Sequence, residues 1–244
     1  MKYTMERWYM VSTQRFSVRK YKEGPTQEDI EHLSDVAKTL STSGVHIVLG
    51  KNADVFSPII LWYGKIKGAS DYAAFMLDKD ADKRMLGYMG EAFILECCAL
   101  GLGTCWLGAS YKKNLVNELT KHSENERIEC ITPIGVPDEP YFGRPRKSLD
   151  KLTGLTQSEL IALPEWQQRA IECARIAPSA VNAQPWRFIM SDNSITIRRI
   201  ANNYGYGFVD CGIAMLHIEL GASHCGVAGS WKLDGDDAVF TLQQ

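Results

Sequence analysis

The chain has 244 residues, a formal net charge of −2 and a pI near 6.2, which leaves room for one large domain or two small ones. Hydrophobic residues make up 45% and charged residues 23%, the composition of a globular protein with a substantial core. A charge this close to neutral argues against nucleic acid or an anionic membrane as the main partner.

The cysteine pattern and the lack of long apolar runs indicate the cellular compartment of the protein. The seven cysteines are odd in number and have no CxxC spacing, so we expect neither a disulfide framework nor a zinc cluster, and we assign no metal site. The N-terminal segment has no signal-peptide core, and no stretch reaches the ~18 uninterrupted apolar residues that span a bilayer. We therefore expect a cytoplasmic protein that does not bind a membrane.

The first half of the chain alternates helices and strands. Residues 26–40 predict a helix that begins after a threonine, and the β-branched run 45–49 predicts a strand that stops at Gly50. Residues 87–100 are apolar nearly all round, as in a buried helix, and Gly101 and Gly103 end it. Residues 127–134 alternate as a strand does, and residues 135–137 close that strand.

A connecting arm rich in Pro, Gly and Arg, residues 138–150, precedes a second unit. The unit's predicted elements are a helix over 164–176, strands over 187–190 and 194–200, a long apolar helix over 210–224, and a final strand over 237–242. This alternation predicts an α+β or α/β class.

The two apolar helices and the turns that end them are similar at an offset of 125 residues. This offset places Gly226 on Gly101 and Trp231 on Trp106. A period this long indicates duplication of a whole domain, since solenoid repeats are much shorter. A chance similarity between two helices with Gly-rich ends is the alternative.

Two basic clusters have the chemistry of anion binding. Arg15, Ser17 and Arg19 form one, and Arg144 and Arg146 belong to the other. Guanidinium groups bind phosphate bidentately, and a hydroxyl adds a neutral hydrogen bond. The alternatives are a solvated basic stretch for the first cluster and a charged linker for the second.

Two further stretches are rich in backbone or side-chain donors. Residues 101–108 (GLGTCWLG) are neither a GxGxxG fingerprint nor a P-loop, but their glycines let backbone N–H groups approach a planar ligand. An ordinary helix-ending turn is the alternative. Residues 177–186 (APSAVNAQPW) crowd Ser, Asn and Gln between two prolines, which suits hydrogen bonding to a heterocycle such as isoalloxazine.

Taken together, the four stretches resemble the motifs of the FMN-dependent nitroreductase superfamily. RFSVRKY, GLGTCWLG and RPRKSLDKL lie in the first half and APSAVNAQPWRF in the second. The chain is most similar to the branch in which one polypeptide carries two nitroreductase-like halves. The resemblance implies an α+β nitroreductase-like fold with two pseudo-symmetric α/β halves, residues 1–150 and a degenerate half at 151–244, that form an intramolecular pseudo-dimer.

Each half keeps motifs that the other has lost. The first half runs from its helix through residues 41–44 straight into a strand, with no PSSxNxQPW loop, and the second half has no RxSxR segment. We therefore expect one FMN per chain, bound by a monomer that acts as a pseudo-dimer. Further oligomerisation stays open.

The resemblance also implies roles for individual residues. Arg15, Ser17 and Arg19 approach the FMN, Arg144 and Arg146 contact its phosphate, Pro178, Ser179, Ala180 and Asn182 contact the flavin, and Trp106, Leu107, Gly108 and Ala109 lie over its reactive edge. No catalytic acid or base is implied, because the flavin transfers the electrons and the protein positions and tunes it. The five histidines are accordingly expected to be surface or core residues.

The family's usual reaction implies a ping-pong hydride mechanism, in which NAD(P)H reduces FMN and a nitroaromatic or quinone-like small molecule then accepts the electrons. Two alternatives remain: another FMN reaction such as reductive dehalogenation, and a flavin-binding or sensing protein without turnover. Five aromatic residues could line the substrate pocket or belong to the core: Phe56, Trp62, Tyr63, Tyr72 and Phe75.

Overall fold

The computed structural model describes residues 2–56 and 65–243 and the side chains from residue 4 onward. It divides into two compact units. The first unit is Gln14–Gly143, and the second unit combines Met1–Thr13 with Arg144–Gln244. The compact units therefore divide at Gly143, with the N-terminal residues in the second unit, whereas the predicted halves divide at residue 150.

The elements alternate along the whole described chain. The helices are α1 Lys2–Ser12, α2 Gln27–Leu40, α3 Lys83–Ala99, α4 Lys113–Leu119, α5 Leu149–Thr153, α6 Gln157–Ala162, α7 Glu165–Arg175 and α8 Gly207–His224. The strands are β1 Tyr21–Glu23, β2 Val45–Lys51, β3 Asp71–Asp78, β4 Gly103–Thr104, β5 Glu126–Pro137, β6 Trp186–Ser191, β7 Ser194–Arg199, β8 Gly229–Asp234 and β9 Asp237–Leu242. Each helix that we predicted is present, and the mixed helix and strand class is confirmed.

Each unit contains one antiparallel sheet, and the two sheets share a connectivity. In the first unit β2 pairs with β3, β3 with β5, and β5 with β4, while β1 also pairs with β5. In the second unit β6 pairs with β7, β7 with β9, and β9 with β8. Both units therefore contain the order helix, two strands, helix, two strands, and in the first unit α4 is inserted between the last two strands. This shared topology supports the predicted duplication, which stays an inference.

The ends of the two long helices are also alike. Gly101 and Gly226 have φ values of 77° and 75°, the left-handed conformation that a glycine adopts most easily. Leu102 N donates to the Cys97 carbonyl at 2.9 Å, and Val227 N donates to the Ala222 carbonyl at 3.1 Å. Both turns thus satisfy the last helical carbonyls in the manner of a Schellman motif.

Local chemistry explains where the predicted helices begin. Thr26 caps α2 in a capping box with Asp29, and Asp82 caps α3 through a hydrogen bond from Arg84 N, as N-cap preferences require. Two helices begin earlier than predicted, α3 at its Asp82 cap and α8 without a side-chain cap. Helix α3 begins at Lys83, earlier than residue 87, and α8 begins at Gly207, earlier than residue 210.

One predicted strand end is wrong. Residues 135–137 were expected to close the strand, but β5 continues through them. Gly135 pairs with Gly103 on β4, and Pro137 pairs with Tyr21 on β1. Both short strands pair with β5, so the neighbours keep these residues extended despite their turn-forming composition.

Each unit buries its long helix against its sheet. Phe75 on β3 and Phe93 on α3 are fully buried, with ring centroids 6.0 Å apart. In the second unit Phe188 and Phe240 are fully buried on strands β6 and β9. None of the described helices combines the length and apolar composition needed to cross a bilayer.

Helix α1 belongs to the second unit through contacts with α8. The Tyr9 ring stacks on the His224 ring with centroids 4.0 Å apart. The Glu6 carboxylate lies 3.1 Å from Nδ1 of the same histidine. The two ends of the described chain therefore build one unit together.

Candidate functional site

The Arg/Ser segment and the Gly-rich loop lie side by side in the first unit. Ser17 forms a parallel bridge with Thr104 on β4, and Val18 N donates to the Thr104 carbonyl at 2.9 Å. Nη1 of Arg19 donates to the Ser17 carbonyl at 3.0 Å. The structure therefore brings two of the four predicted stretches together.

Arg15 is buried beside a buried carboxylate. Its side chain is 5% exposed, and its Nε lies 3.8 Å from Oε1 of Glu91, whose side chain is 0% exposed. Nη1 of Arg15 is buried and has no hydrogen-bond partner among the residues that the structure describes. A buried donor without an acceptor is costly, so an anionic oxygen at this position would complete the hydrogen bonding. The phosphate group of FMN fits that requirement.

The segment that begins at Trp106 is held at several points. Nε1 of Trp106 donates to Oε2 of Glu91 at 2.8 Å, and the indole packs on Phe75 with centroids 4.8 Å apart. A Cβ at Gly90 would lie 2.5 Å from Cη2 of the indole, so the absence of a side chain there makes room for Trp106. Leu107 exchanges two backbone hydrogen bonds with Ile131, of 2.9 and 3.0 Å. Trp106 and Leu107 are thus held rigidly, and Gly108 and Ala109 follow directly after them.

The cysteine in the Gly-rich loop is not an activated nucleophile. Burial raises the pKa of the Cys105 thiol, while Arg19 and Arg15 act in the opposite direction. The thiol therefore stays protonated near neutral pH. Its backbone N donates to Thr132 Oγ1 at 3.0 Å, so Cys105 has a packing role.

The loop 177–186 of the second unit has an unusual backbone. Val181, Asn182 and Gln184 have φ values of 50°, 57° and 46°, in the left-handed region that non-glycine residues seldom adopt. Ser179 braces the loop, because its hydroxyl accepts from Gln184 N at 2.9 Å and its carbonyl accepts from Asn182 N at 2.9 Å. The predicted residues Pro178, Ser179, Ala180 and Asn182 therefore lie in one tight, specifically bonded turn.

The late basic segment is bound to this loop. Nη1 of Arg146 donates to Oδ1 of Asn182, and its Nε donates to the Ile176 carbonyl at 3.2 Å. Nδ2 of Asn182 donates in return to the Pro145 carbonyl at 2.9 Å. The structure thus joins Arg146 to Asn182, while Arg144 is exposed. A contact of Arg144 and Arg146 with phosphate stays a prediction.

Two residues that we did not predict strengthen the same connection. The backbone N of Lys147 donates to Oε1 of Gln184 at 2.7 Å, and its Nζ donates to the carbonyls of Ala183 and Gln184 at 2.7 and 3.0 Å. Gln184 also donates to the Arg175 carbonyl at 3.0 Å. Both residues lie inside motifs singled out from the sequence, so their polar character was the available signal.

A buried acid on α8 lies against the loop from another direction. Oδ1 of Asp210 accepts from Ala180 N at 2.8 Å, and Oδ2 accepts from Nδ2 of Asn203 at 2.6 Å. Burial raises the pKa of Asp210 to about 7, and the bonds from Asn203 and Ala180 oppose that shift. Asp210 and Glu91 were not among the residues predicted from the sequence. In both cases the signal was a carboxyl group inside an apolar helix, since an unpaired charge is seldom buried.

A histidine and two acids meet where the strands of the first sheet end. Nε2 of His46 lies 3.2 Å from Oδ1 of Asp78 and 3.3 Å from Oε1 of Glu126, and their ligand atoms are close enough to share a metal ion. The three side chains are partly exposed and pair with one another, so we interpret them as an ion-pair network.

Three of the five aromatic residues considered for a substrate pocket belong to the core. Phe56, Tyr72 and Phe75 are buried, which favours the packing alternative for them. Trp62 and Tyr63 lie outside the described residues.

A family model matches most of the chain. Residues 9–222 match the family model described as "Putative TM nitroreductase". The chain belongs to this nitroreductase family. No curated protein sequence matches it.

Three solved structures are similar to this chain to different degrees. A "putative nitroreductase" from Thermotoga maritima is 22% identical, covers 96% of this chain and 93% of its own, and superposes with a TM-score of 0.69. An FMN-dependent nitroreductase from Clostridium difficile is 20% identical over 54% of this chain and 88% of its own, with a TM-score of 0.45. A "Putative NADH dehydrogenase/NAD(P)H nitroreductase" from Bacteroides thetaiotaomicron is 18% identical over 56% of this chain and 90% of its own, with a TM-score of 0.47. The Thermotoga match confirms the predicted α+β nitroreductase fold.

Within this nitroreductase the predicted site residues form two sets. Arg15, Ser17, Arg19 and residues 106–109 belong to the first unit, and Arg144, Arg146 and the loop residues belong to the second. Hydrogen bonds connect Arg19 to Ser17 in the first set and Arg146 to Asn182 in the second. Their contact with a cofactor stays a prediction.

Proposed function

We propose that this chain is an FMN-dependent oxidoreductase in which residues of both units serve one FMN. Membership of the nitroreductase family supports an oxidoreductase activity. The observation that carries the FMN proposal is the Ser17–Thr104 bridge, which sets the Arg/Ser segment beside the Gly-rich loop. The unsatisfied, buried Nη1 of Arg15 in that segment adds a donor that a phosphate oxygen would satisfy.

The two units contribute different donors to the proposed site. In the first unit, Arg15, Ser17 and Arg19 supply cationic and hydroxyl groups, and residues 106–109 supply a backbone segment fixed by Trp106 and Leu107. In the second unit, Pro178, Ser179, Ala180 and Asn182 supply the loop, and Arg144 and Arg146 supply two guanidinium groups. The assignment of both sets to one FMN rests on the sequence, since each unit carries motifs that the other lacks.

When bound, FMN supplies the two-electron redox chemistry, and the side chains supply binding, orientation and electrostatics. Arg19 is the cation that we assign to tuning. Its backbone N donates to Glu139 and its guanidinium donates to the Ser17 carbonyl, so both ends of the residue are fixed. A fixed positive charge stabilises an anionic form of a neighbouring group without reorganisation.

We assign NAD(P)H as the electron donor and a nitroaromatic or quinone-like small molecule as the acceptor, in a ping-pong reaction. The support is the family itself. The alternative of flavin binding without turnover differs in one measurable respect, because a binding protein need not be reduced quickly by NADH or NADPH.

The test is titration of the purified protein with FMN, followed by its visible spectrum and its mass in solution. We expect one FMN per 27.3 kDa chain. Riboflavin is the matched control, since it lacks the phosphate that the arginines are proposed to bind. Two FMN per chain, or equal affinity for riboflavin, would contradict the proposal.

Anaerobic stopped-flow reduction by NADH and by NADPH then tests turnover. Rapid bleaching of the bound flavin with either donor, followed by reoxidation with a quinone, supports the oxidoreductase. Slow reduction by both donors would favour the binding protein without turnover.

A further inference from the structure

The loop 177–186 cannot hold its backbone conformation by local preference alone. Val181 has a φ of 50°, and a β-branched residue in the left-handed region is an outlier. Asn182 and Gln184 follow at 57° and 46°. Such a run persists only where the surroundings determine it. The contacts that fix this loop therefore decide whether its polar groups are presented at all.

Asp210 and Asn203 fix both backbone groups of Ala180, the residue directly before Val181. The Ala180 N–H donates to Oδ1 of Asp210 at 2.8 Å, and its carbonyl accepts from Nδ2 of Asn203 at 3.0 Å. The same Nδ2 donates to Oδ2 of Asp210 at 2.6 Å. These three hydrogen bonds form a closed set around one residue, so the chain enters the left-handed turn in a single orientation.

The position of Asp210 is costly for folding. Only 2% of the residue is exposed, and it lies near the start of α8, whose next six residues are all buried. A carboxyl group in such surroundings needs specific partners. Among the described residues, the side-chain oxygens of Asp210 bond to the Ala180 N–H and to Nδ2 of Asn203. The Asp210 carboxyl group is therefore bound to the loop directly at Ala180 and also through Asn203.

The first unit can be compared with the second at the position of Asp210. At the offset of 125 residues, the counterpart of Asp210 in the first unit is Met85. The first unit also lacks the polar loop, since only residues 41–44 separate α2 from β2. The acid is thus present in the unit that has the loop and absent from the unit that does not.

We propose that Asp210, together with Asn203, is the positioning residue that fixes residues 178–182 in the conformation that contacts FMN. This inference rests on the proposed function for its cofactor, while the fixing of the loop can be tested without one. Asp210 acts through the loop, so it is not a catalytic residue. Arg146 and Lys147 hold the later part of the same loop, and Asp210 holds its first part.

Two variants separate the interaction from a general loss of folding. Asp210→Asn keeps the shape but turns an amide nitrogen toward Nδ2 of Asn203, so two donors face each other. Asn203→Gly removes the side chain at a position whose φ is 46°, which glycine adopts without strain. Asp236→Asn is the control, because that acid is half-exposed and pairs with Arg199 in the same unit.

The first measurement is amide hydrogen exchange of the peptide covering residues 177–186, without FMN. The amides of Asn182, Ala183 and Gln184 donate within the loop, so they report its closed form. We expect exchange about tenfold faster in both site variants, because each loses a hydrogen bond within the buried cluster of Asp210, Asn203 and Ala180. Exchange in the rest of α8 and in the control should stay as in the wild type.

The second measurement is FMN titration with the visible flavin spectrum. We expect the Kd for FMN to rise about tenfold in both site variants and the flavin bands to shift toward those of free FMN. Unchanged loop exchange in both variants would overturn the inference. Faster exchange with unchanged Kd and spectrum would also overturn it, since the loop would then be fixed for another purpose. If the wild type binds no FMN, the proposed function fails, and loop exchange alone decides whether Asp210 fixes the loop.

Discussion

Glu91, in the middle of the buried helix α3, accepts a hydrogen bond of 2.8 Å from the indole Nε1 of Trp106. Trp106 follows the Gly-rich turn that ends the same helix, so the carboxylate ties the turn back to the helix it leaves. The second unit repeats the relationship, since Trp231 donates to Glu219 at 3.0 Å. In each unit a carboxylate inside an apolar helix thus holds a tryptophan side chain in place.

Removal of the Glu91 carboxylate should destabilise the protein through Trp106. We expect Glu91→Gln to lower the free energy of unfolding by about 2–4 kcal/mol, because it weakens a buried bond and leaves Arg15 without its neighbouring charge. A double-mutant cycle with Trp106→Phe, measured by urea unfolding, should give a coupling of about 1–3 kcal/mol. The half-buried pair Glu219 and Trp231 is the matched control and should couple less. Additive effects of Glu91→Gln and Trp106→Phe would contradict this account.

The two helix-ending glycines should respond equally to substitution. A Cβ at Gly101 or Gly226 would meet no atom within 4 Å, so Gly101→Ala and Gly226→Ala test the left-handed backbone alone. Each should cost about 1–2 kcal/mol of unfolding free energy. Thermal and urea unfolding of both variants measure this. A neutral effect at one glycine and not the other would show that the two turns are not equivalent.

The stability of the protein should depend on pH through Asp210. Its pKa is raised by burial from 3.8 to about 7, so the folded state holds a proton between these values that the unfolded state has released. Stability contributed at this site is therefore lost as the pH rises from about 4 to about 7, and is constant outside that window. Asp210→Asn does not titrate, so its Tm should improve relative to the wild type as the pH rises from about 4 to about 7, and the difference should be constant outside that window. Parallel Tm curves for the two proteins would contradict the assignment.

Arg19 should affect the flavin more than the fold. With Arg19→Ala we expect the Kd for FMN to rise about tenfold, as for loss of a charge-assisted bond, and the midpoint potential of the bound flavin to fall. Potentiometric titration measures the second effect. Lys22→Ala, an exposed cation in the same segment, should change neither quantity. No change in either quantity for Arg19→Ala would remove its proposed role.

The helices were predictable because their signals are local. Thr26 and Asp29 form the capping box at the start of α2, and Gly101 ends α3 through backbone bonds within one turn. The polar loop was also recognisable, since its prolines and polar side chains are contiguous. Short-range chemistry determines these features, and the sequence displays short-range chemistry directly.

Other features depend on distant partners. Strand β3 escaped prediction because seven of its eight residues are buried, so it shows no alternation of polar and apolar side chains. Residues 135–137 stay extended because β1 and β4 pair with them. The fixing of the polar loop by Asp210 joins residues 30 positions apart. None of these relationships has a signature within a short window of sequence.

The discontinuous second unit has a consequence for synthesis on the ribosome. Helix α1 emerges before the rest of the second unit, and His224, which bonds to Glu6 and stacks on Tyr9, follows Glu6 by 218 positions. At ordinary translation rates that interval lasts roughly 10 to 40 s. The first unit is continuous in sequence, so it can fold during this time. The apolar side chains of α1 stay exposed to solvent until α8 has been made. The nascent chain therefore exposes the apolar residues Met5 and Trp8, which the folded protein buries, for the whole of this interval.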